Sequence, residues 1–381
     1  MQLVGDVPIG ATVSGGLDSS TVALLADRAR VADKTTEVLH LFAYHDTLAE
    51  HDERPYQRAV LSAMRSPHEV HWVTSSPARL HDEFDRYIHH QEEPYGDVSS
   101  YAEWCIAREA AARGVKVLLN GLGGDEVFVG YAAFIGPVMI DLVRRGDLGA
   151  AFELLRVAPK VSEELRGAHA ARAAAYHALP ARLRNAATAL RAARSCGLDT
   201  KLVRAAAMDA LRTYHPHDGG AVSPTNAALR GALESWCIPR FLAHSDRMGL
   251  AAGVEGRVPL LDERVIATAW GIPARDRVGA SGLKASLRAA AAHVLPKEVL
   301  DRAWKLGFHA PLRHYVAALE EPLRAGHRAA ERALGVAPAW ASLGFQQRWR
   351  WGNLGAYLEW AASRPRAEVN DARPIAITEA V

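Results

Sequence analysis

Across residues 1–130 short β-rich runs alternate with helical patterns, and that alternation leaves few folds open to the chain. The sequence predicts strands over Ile9 to Val13, Glu37 to Tyr44, His68 to Val73 and Val115 to Asn120. Between them Ser19 to Arg30, Arg54 to Met64, Ala78 to His89 and Tyr101 to Ala112 repeat apolar residues at helical spacing. Strands separated by helices build a parallel sheet covered on both faces, and ligands then bind at the carboxyl ends of the strands. Sites are therefore expected just after Val13, Tyr44, Val73 and Asn120.

From about Tyr131 the strand signal gives way to alanine, arginine and leucine, so the second half is expected to be mostly helical, with breaks at Pro180, at His215 to Pro224 and at Pro259. The stretch Ala168 to Arg194 carries Arg172, Arg182, Arg184, Arg191 and Arg194, a solvated helical face or a basic docking face. After Arg364 the chain turns polar and proline-containing, which predicts a frayed tail. Lysine plus arginine total 45 against 43 for aspartate plus glutamate, a balance that gives no reason to expect nucleic acid or an acidic membrane as partner. Cys105, Cys196 and Cys237 form no CxxC pair and read as core cysteines of a reducing compartment. No apolar run is read as reaching the about 18 residues of a membrane span, and no signal peptide opens the chain, so a cytoplasmic protein is expected.

The most specific local signal is Ser14-Gly15-Gly16-Leu17-Asp18-Ser19-Ser20, between the first expected strand and helix. Two glycines let backbone approach phosphate oxygens, while amides, a helix N-terminus and serine hydroxyls supply donors. Asp18 would repel phosphate unless a magnesium ion bridges the two. An ordinary strand-to-helix turn capped by Asp18 or Ser19 uses the same residue types. The Walker pattern G-x-x-x-x-G-K is absent from the chain, and Gly121-Leu122-Gly123-Gly124 does not complete G-x-G-x-x-G. The loop resembles instead that of the ATP pyrophosphatases, which split ATP between its α and β phosphates.

Three further motifs follow in order: Asn120-Gly121-Leu122-Gly123-Gly124-Asp125-Glu126, Gly253-Val254-Glu255-Gly256-Arg257-Val258-Pro259, and Trp304-Lys305-Leu306-Gly307-Phe308. With the phosphate loop they resemble the synthetase domain of the asparagine synthetases, whose relatives include β-lactam synthetases and lasso-peptide cyclases. Glu92-Glu93-Pro94, His68-Glu69-Val70 and Lys284 agree with that pattern.

The resemblance implies an α/β fold: a parallel-sheet ATP-pyrophosphatase (PP-loop, adenine nucleotide alpha hydrolase-like) core over 1–130 and a helical C-terminal subdomain over 131–365, one synthetase domain in all, with 366–381 as tail. It implies an ATP- and Mg2+-dependent ligase that adenylates a carboxylate, releases pyrophosphate and AMP, and forms an amide. Ser14, Gly15, Gly16, Asp18 and Ser19 would hold the phosphates, Asp18 and Asp125 the magnesium, and Asn120, Gly121 and Tyr44 the adenosine side. Lys305 matches the lysine that neutralises charge developing at the α-phosphate, and with Asp18 it is the expected catalytic residue. Leu122, Glu255 and Arg257 are the expected substrate-side residues, the last two equally readable as an ion pair joining the halves. His68 and His71, three apart on a strand, point to opposite faces and are not expected to share a metal.

The chain departs from the family at two places. Position 2 is Gln2 where a glutaminase domain would begin with a cysteine nucleophile, so that domain is expected to be absent. Nitrogen would come from ammonia, from an amine on the substrate, or through a separate glutaminase; a precursor-binding protein is another possible partner. Leu122 stands where asparagine synthetases carry an acid, and leucine takes no proton from an attacking amine. Amidation of asparagine-synthetase type leads; an intramolecular macrolactam or β-lactam-type cyclase, and a non-catalytic or truncated ATP-binding relative, are the alternatives.

Overall fold

The computed structural model describes residues 2–46, 48, 52–161, 175–176, 179, 183–184, 186–190, 223–279, 282–302 and 311–364. Strands β1 (Ile9–Thr12), β2 (Leu39–Asp46), β3 (His68–Ser75), β4 (Val117–Leu119) and β5 (Glu255–Arg257) form one parallel sheet in the order β3, β2, β1, β4, β5. Helices α1 (Leu17–Ala32), α2 (Arg54–Ser62), α3 (Pro77–Gln91) and α4 (Ser99–Ala112) occur where the helical spacing predicts them, within a few residues at each end. The fold is the α/β, parallel-sheet PP-loop type, with the rest of the described chain mostly helical.

Alternation along each strand divides the core into two layers. Leu39, Leu41, Val117 and Leu119 pack with Val22, Leu24, Val60 and Val127 on one face. Phe42, Tyr44 and Leu118 turn to the other, against Phe84, Tyr87, Trp104 and Trp349. That two-residue period is what a strand buried on both faces requires. At Gly10 in the centre of β1, a Cβ would lie 2.8 Å from the Phe42 ring, so only glycine lets the neighbouring strand carry phenylalanine there.

Beyond β4 run α5 (Gly124–Phe128), α6 (Ile135–Arg144), α7 (Leu148–Val161), α8 (Pro224–Gly231) and α9 (Ile238–Leu250). Ile135, Val138, Leu142, Leu154, Leu229 and Cys237 make a third core cluster among them. The helical run Gly124–Arg144 is long and apolar enough to cross a membrane by composition, which corrects the sequence reading. It is 61% buried within the protein, and α6 supplies much of the third core cluster. Cys105 and Cys237 are both buried and free, as core cysteines should be; Cys196, most of the arginine-rich stretch and the C-terminal tail lie outside the described residues.

The second half is not wholly helical. Glu255–Arg257 adds β5 alongside β4, with Glu255 N donating to Lys116 O and Asn120 N donating to Arg257 O. Three residues of sequence Glu-Gly-Arg carry neither the alternation nor the β-branched side chains that mark a strand; an edge ladder holds them instead. The chain closes with α10 (Glu263–Trp270), α11 (Ala285–Ala291), α12 (Leu312–Ala318) and the paired helices α13 (Glu320–Leu334) and α14 (Phe345–Ser363).

Candidate functional site

Strand order reverses between β1 and β4, and the loops leaving their carboxyl ends open the crevice where ligands bind in such sheets. In the first loop Gly15 has φ of +70°, and a Cβ there would sit 2.8 Å from the Gln57 amide nitrogen. Gly16 is the N-cap of α1 and no side chain caps the helix, so the capped-turn use of Asp18 or Ser19 does not occur. Ser14 and Ser19 join hydroxyl to hydroxyl at 2.6 Å, and Gly16 N donates to Ser14 Oγ at 3.2 Å. The loop is therefore shaped by its own serines before any ligand arrives.

The second loop meets the first backbone to backbone. A Cβ on Gly121 would lie 2.4 Å from the Ser19 nitrogen, and one on Gly124 would lie 2.3 Å from Asp18 Oδ1. This contact brings Asp18 and Asp125 to a common point. Lys284 Nζ sits 2.6 Å from Asp18 Oδ2 and 2.6 Å from Asp125 Oδ1, with all three side chains buried. Lys284 thus joins two buried carboxylates from separate loops in a shielded place, where Coulomb forces are strong. Lys284 itself has φ of +57°, a left-handed conformation that costs a lysine of order 1–3 kcal/mol and that functional sites tend to store.

Two arginines tie the chain after Lys284 to the phosphate loop. Arg288 donates to Leu300 O and Arg302 O, while Arg302 donates to Gly15 O at 3.2 Å and pairs with Glu53 at 2.6 Å. The Arg302 guanidinium also lies over the Tyr56 ring. Described chain thus ends at the loop with Arg302; Lys305 and its motif lie outside the described residues.

From the loops a cavity of about 1180 Å³ runs between α4 and α9. Ser14, Asp18, Asn120 and Asp125 line its polar end; Ile106, Phe241 and Val254 line an apolar portion. It exceeds the roughly 300–1,000 Å³ of a common small-ligand pocket, leaving room for a nucleotide and a second substrate. Leu122 faces this cavity, its amide nitrogen bonded to Asn120 Oδ1 at 3.0 Å.

Other expected site residues lie elsewhere. Tyr44 is not among the residues that line the cavity: its hydroxyl bonds Ser75 at 2.6 Å inside a buried network with Asp46 and Tyr315, and burial pushes its ionisation up. Glu255 and Arg257 pair with each other at 2.8 Å, and Arg257 donates to the carbonyls of Gln2 and Val4. Of that motif Val254 and Gly256, not the charged pair, face the cavity. His68 and His71 do point apart, one exposed and one buried, but His71 meets His40 of the adjacent strand at 3.0 Å beside Glu69.

Sequence reasoning passed over Arg302 and Glu103. Glu103 lies on the cavity side of α4 between Tyr101 and Ile106, and its Oε2 is buried with no hydrogen-bond partner among the described residues. Loss of solvent pushes its carboxyl up to about 7; the Ser245 hydroxyl works against that rise and the Asp97 carboxylate adds to it. The available signal was an acid inside an otherwise apolar helical run, Tyr101 to Ala107. Glu126, buried in α5, accepts from Tyr131 at 2.7 Å and from Cys237, so its role within the second loop is to brace it.

The family model for asparagine synthase matches residues 1–340. The chain is 28% identical over 316 residues to asparagine synthetase [glutamine-hydrolyzing] 1 of Bacillus subtilis (strain 168), covering 83% of this chain and 48% of that protein. A putative asparagine synthetase [glutamine-hydrolyzing] of Mycobacterium bovis is 27% identical over 330 residues, 83% of this chain and 47% of its own length. A putative asparagine synthetase [glutamine-hydrolyzing] 2 of Methanocaldococcus jannaschii is 32% identical over 145 residues, 38% of this chain and 27% of its own. The chain thus spans about half the length of the full-length relatives it matches most extensively. With two loops meeting at the switch point of a parallel sheet and a family match over most of its length, the chain belongs to the asparagine synthase family.

Proposed function

We propose that this chain is an ATP-dependent ligase that activates a carboxylate as its acyl-adenylate, releases pyrophosphate, and passes the acyl group to nitrogen with loss of AMP. The observation that carries the reading is the single cavity that runs from the Ser14 to Ser19 loop, past Asp18 and Asp125, into its apolar portion between α4 and α9, the second chamber. ATP phosphates fit the loop, where amides and serine hydroxyls converge. Asn120 and Gly121 border the nucleotide, as Ser14 and Asp18 do; Tyr44 supports strand β2 behind them.

The donor set at Asp18 and Asp125 suits a hard divalent ion, because two carboxylate oxygens already converge on one cation. Mg2+ held there would neutralise phosphate charge. Lys305 is assigned the ammonium that would meet charge developing at the α-phosphate. The Glu255 and Arg257 pair is assigned to holding β5, not to the substrate.

Nitrogen comes from ammonia, from an amine on the substrate, or through a separate glutaminase; a cytoplasmic setting suits an ATP-dependent ligase. A second reading, intramolecular cyclisation of an amine-bearing acid or peptide, is favoured by one observation: apolar Leu122 lines the cavity. The test is isotope exchange between ATP and pyrophosphate with Mg2+, run with aspartate, with pooled amino acids and peptides, and with no carboxylate. Exchange with aspartate supports amidation of that acid, and exchange only with a peptide or another acid supports the cyclase. Absence of exchange from folded protein that binds ATP sinks the ligase reading.

A further inference from the structure

We propose that Glu103 is the catalytic base of this chain: a carboxylate in the wall of the second chamber that binds the incoming ammonium or amine and takes its proton. The inference rests on the ligase reading for the step it serves, and on separate geometry for the residue. Glu103 lies on the cavity side of α4, beside Ser245 of α9 in the wall of the cavity that begins at the phosphate loop. Its Oε2 is shielded from water without a partner among the described residues, and a buried carboxylate oxygen in that state costs several kcal/mol unless a ligand satisfies it.

The neighbourhood favours a cation. Asp97, on the loop before α4, lines the same chamber and raises the electronegative field at Glu103, while Ser245 is the hydroxyl that bonds it. His244, next to Ser245, is tilted against Tyr95 with ring centroids 3.7 Å apart, and burial with the charges of Arg247 and Arg240 holds it down to about 4, so at neutral pH it brings no competing charge. Leu122 cannot accept a proton. A carboxyl that burial moves to about 7 is matched to proton transfer near neutral pH, which is where a general base works best.

The chemistry balances as follows. Bound ammonium gives one proton to the Glu103 carboxylate. The nitrogen lone pair forms the C–N bond at the adenylate carbonyl carbon, the C–O bond to phosphate breaks, and AMP leaves with that electron pair. The second proton released from nitrogen goes to the departing phosphate.

Two measurements test the assignment with ammonium as the probe. In the first, wild type, Glu103→Gln and Glu103→Asp are compared for ATP–pyrophosphate exchange and for amide formation, with whichever carboxylate supports exchange. Glu103→Gln is expected to keep exchange within about twofold while amide formation falls about 10²-fold and loses its rise through pH 7; Glu103→Asp recovers part of the rate. Equal losses in both assays, or an unchanged amide rate and pH profile, overturn the proposal. In the second, the Glu103 carboxyl is followed by 13C NMR in wild type as pH is varied, with the Glu103→Gln protein fixing the assignment. Ammonium is expected to lower the titration midpoint, and a midpoint indifferent to ammonium overturns the proposal even if no carboxylate supports exchange. That last outcome of the exchange assay would count against the ligase reading alone. Ser245→Ala, which removes the opposing hydroxyl, is expected to raise the midpoint and guards against a Glu103→Gln protein that fails to fold.

Discussion

Lys284 carries more of the site than its place in the sequence suggests. Its ammonium lies between two buried carboxylates, so removing it takes away a cation that Asp18 and Asp125 each meet at 2.6 Å. Breaking a buried pair costs about 3–5 kcal/mol, and Lys284→Met should lower stability in urea by an amount of that order. Millimolar Mg2+ should restore part of the loss, since a divalent ion can take the same carboxylates. A variant within about 0.5 kcal/mol of wild type, with or without the ion, would remove the triad from the account. His244 gives a prediction of opposite character. Its folded value of about 4 lies below the ordinary 6.5, so the unfolded chain binds the proton first as pH falls. Stability from this residue is intact above 6.5 and declines between 6.5 and 4, by about 3 kcal/mol at most. Glu103 opposes it: a carboxyl raised to about 7 from 4.5 costs folding free energy as pH climbs through that window. Glu103→Gln should therefore be relatively more stable above pH 7, while His244→Asn should flatten the acid side, both readable from urea midpoints against pH. The residue types of the phosphate site were legible because glycine, serine and aspartate there answer to local backbone and charge. Glu103 and Arg302 were not, because their meaning lies in which distant oxygen or cavity they meet.

Elements obey the same division. Helices α1 to α4 and the longer strands β2 and β3 follow from period, since each is long enough for the pattern to repeat. Strand β5 escapes that logic, because its three residues are strand only by virtue of β4 beside them. Helices α13 and α14 show a further limit: the composition of the second half predicts helix there, not how closely two helices cross. A Cβ on Gly355 would stand 1.6 Å from Gly326 O, and one on Gly326 would stand 2.1 Å from Gly352 O. The crossing is backbone on backbone, and a single methyl forces the pair apart. Overpacking of this kind costs about 1–3 kcal/mol or more. Gly355→Ala should then lower the melting temperature by several degrees, whereas Gly335→Ala past the end of α13, where no atom lies within 4 Å, meets only the strain of its φ of +71°. An equal or smaller loss at Gly355 would mean that the two helices slide to accommodate the methyl group.

At the scale of the molecule, the order β3, β2, β1, β4, β5 does what no single motif does: it sets the loops after β1 and β4 side by side. The sequence foretold four strand ends as possible sites, and topology selects two of them. Strand order depends on which crossovers the helices take, and nothing local records it. Because residues from α4, α9 and α12 line the same cavity as the two loops, a ligand there contacts elements drawn from both core layers of the sheet. Binding should accordingly stabilise the fold as a unit rather than one loop. Free ligand at 100 times its dissociation constant adds about 2.7 kcal/mol to a protein that binds it only when folded. ATP with Mg2+ should raise the unfolding midpoint of the whole chain by a matching amount, in one cooperative transition. Asp18→Asn keeps the side-chain volume and removes the charge that faces Lys284 and the ion. In that variant the stabilisation by ATP with Mg2+ should shrink toward that seen with ATP alone. If Asp18→Asn instead gains as much from ATP with Mg2+ as wild type does, the ion is held elsewhere, and the convergence of the two loops serves packing rather than phosphate chemistry.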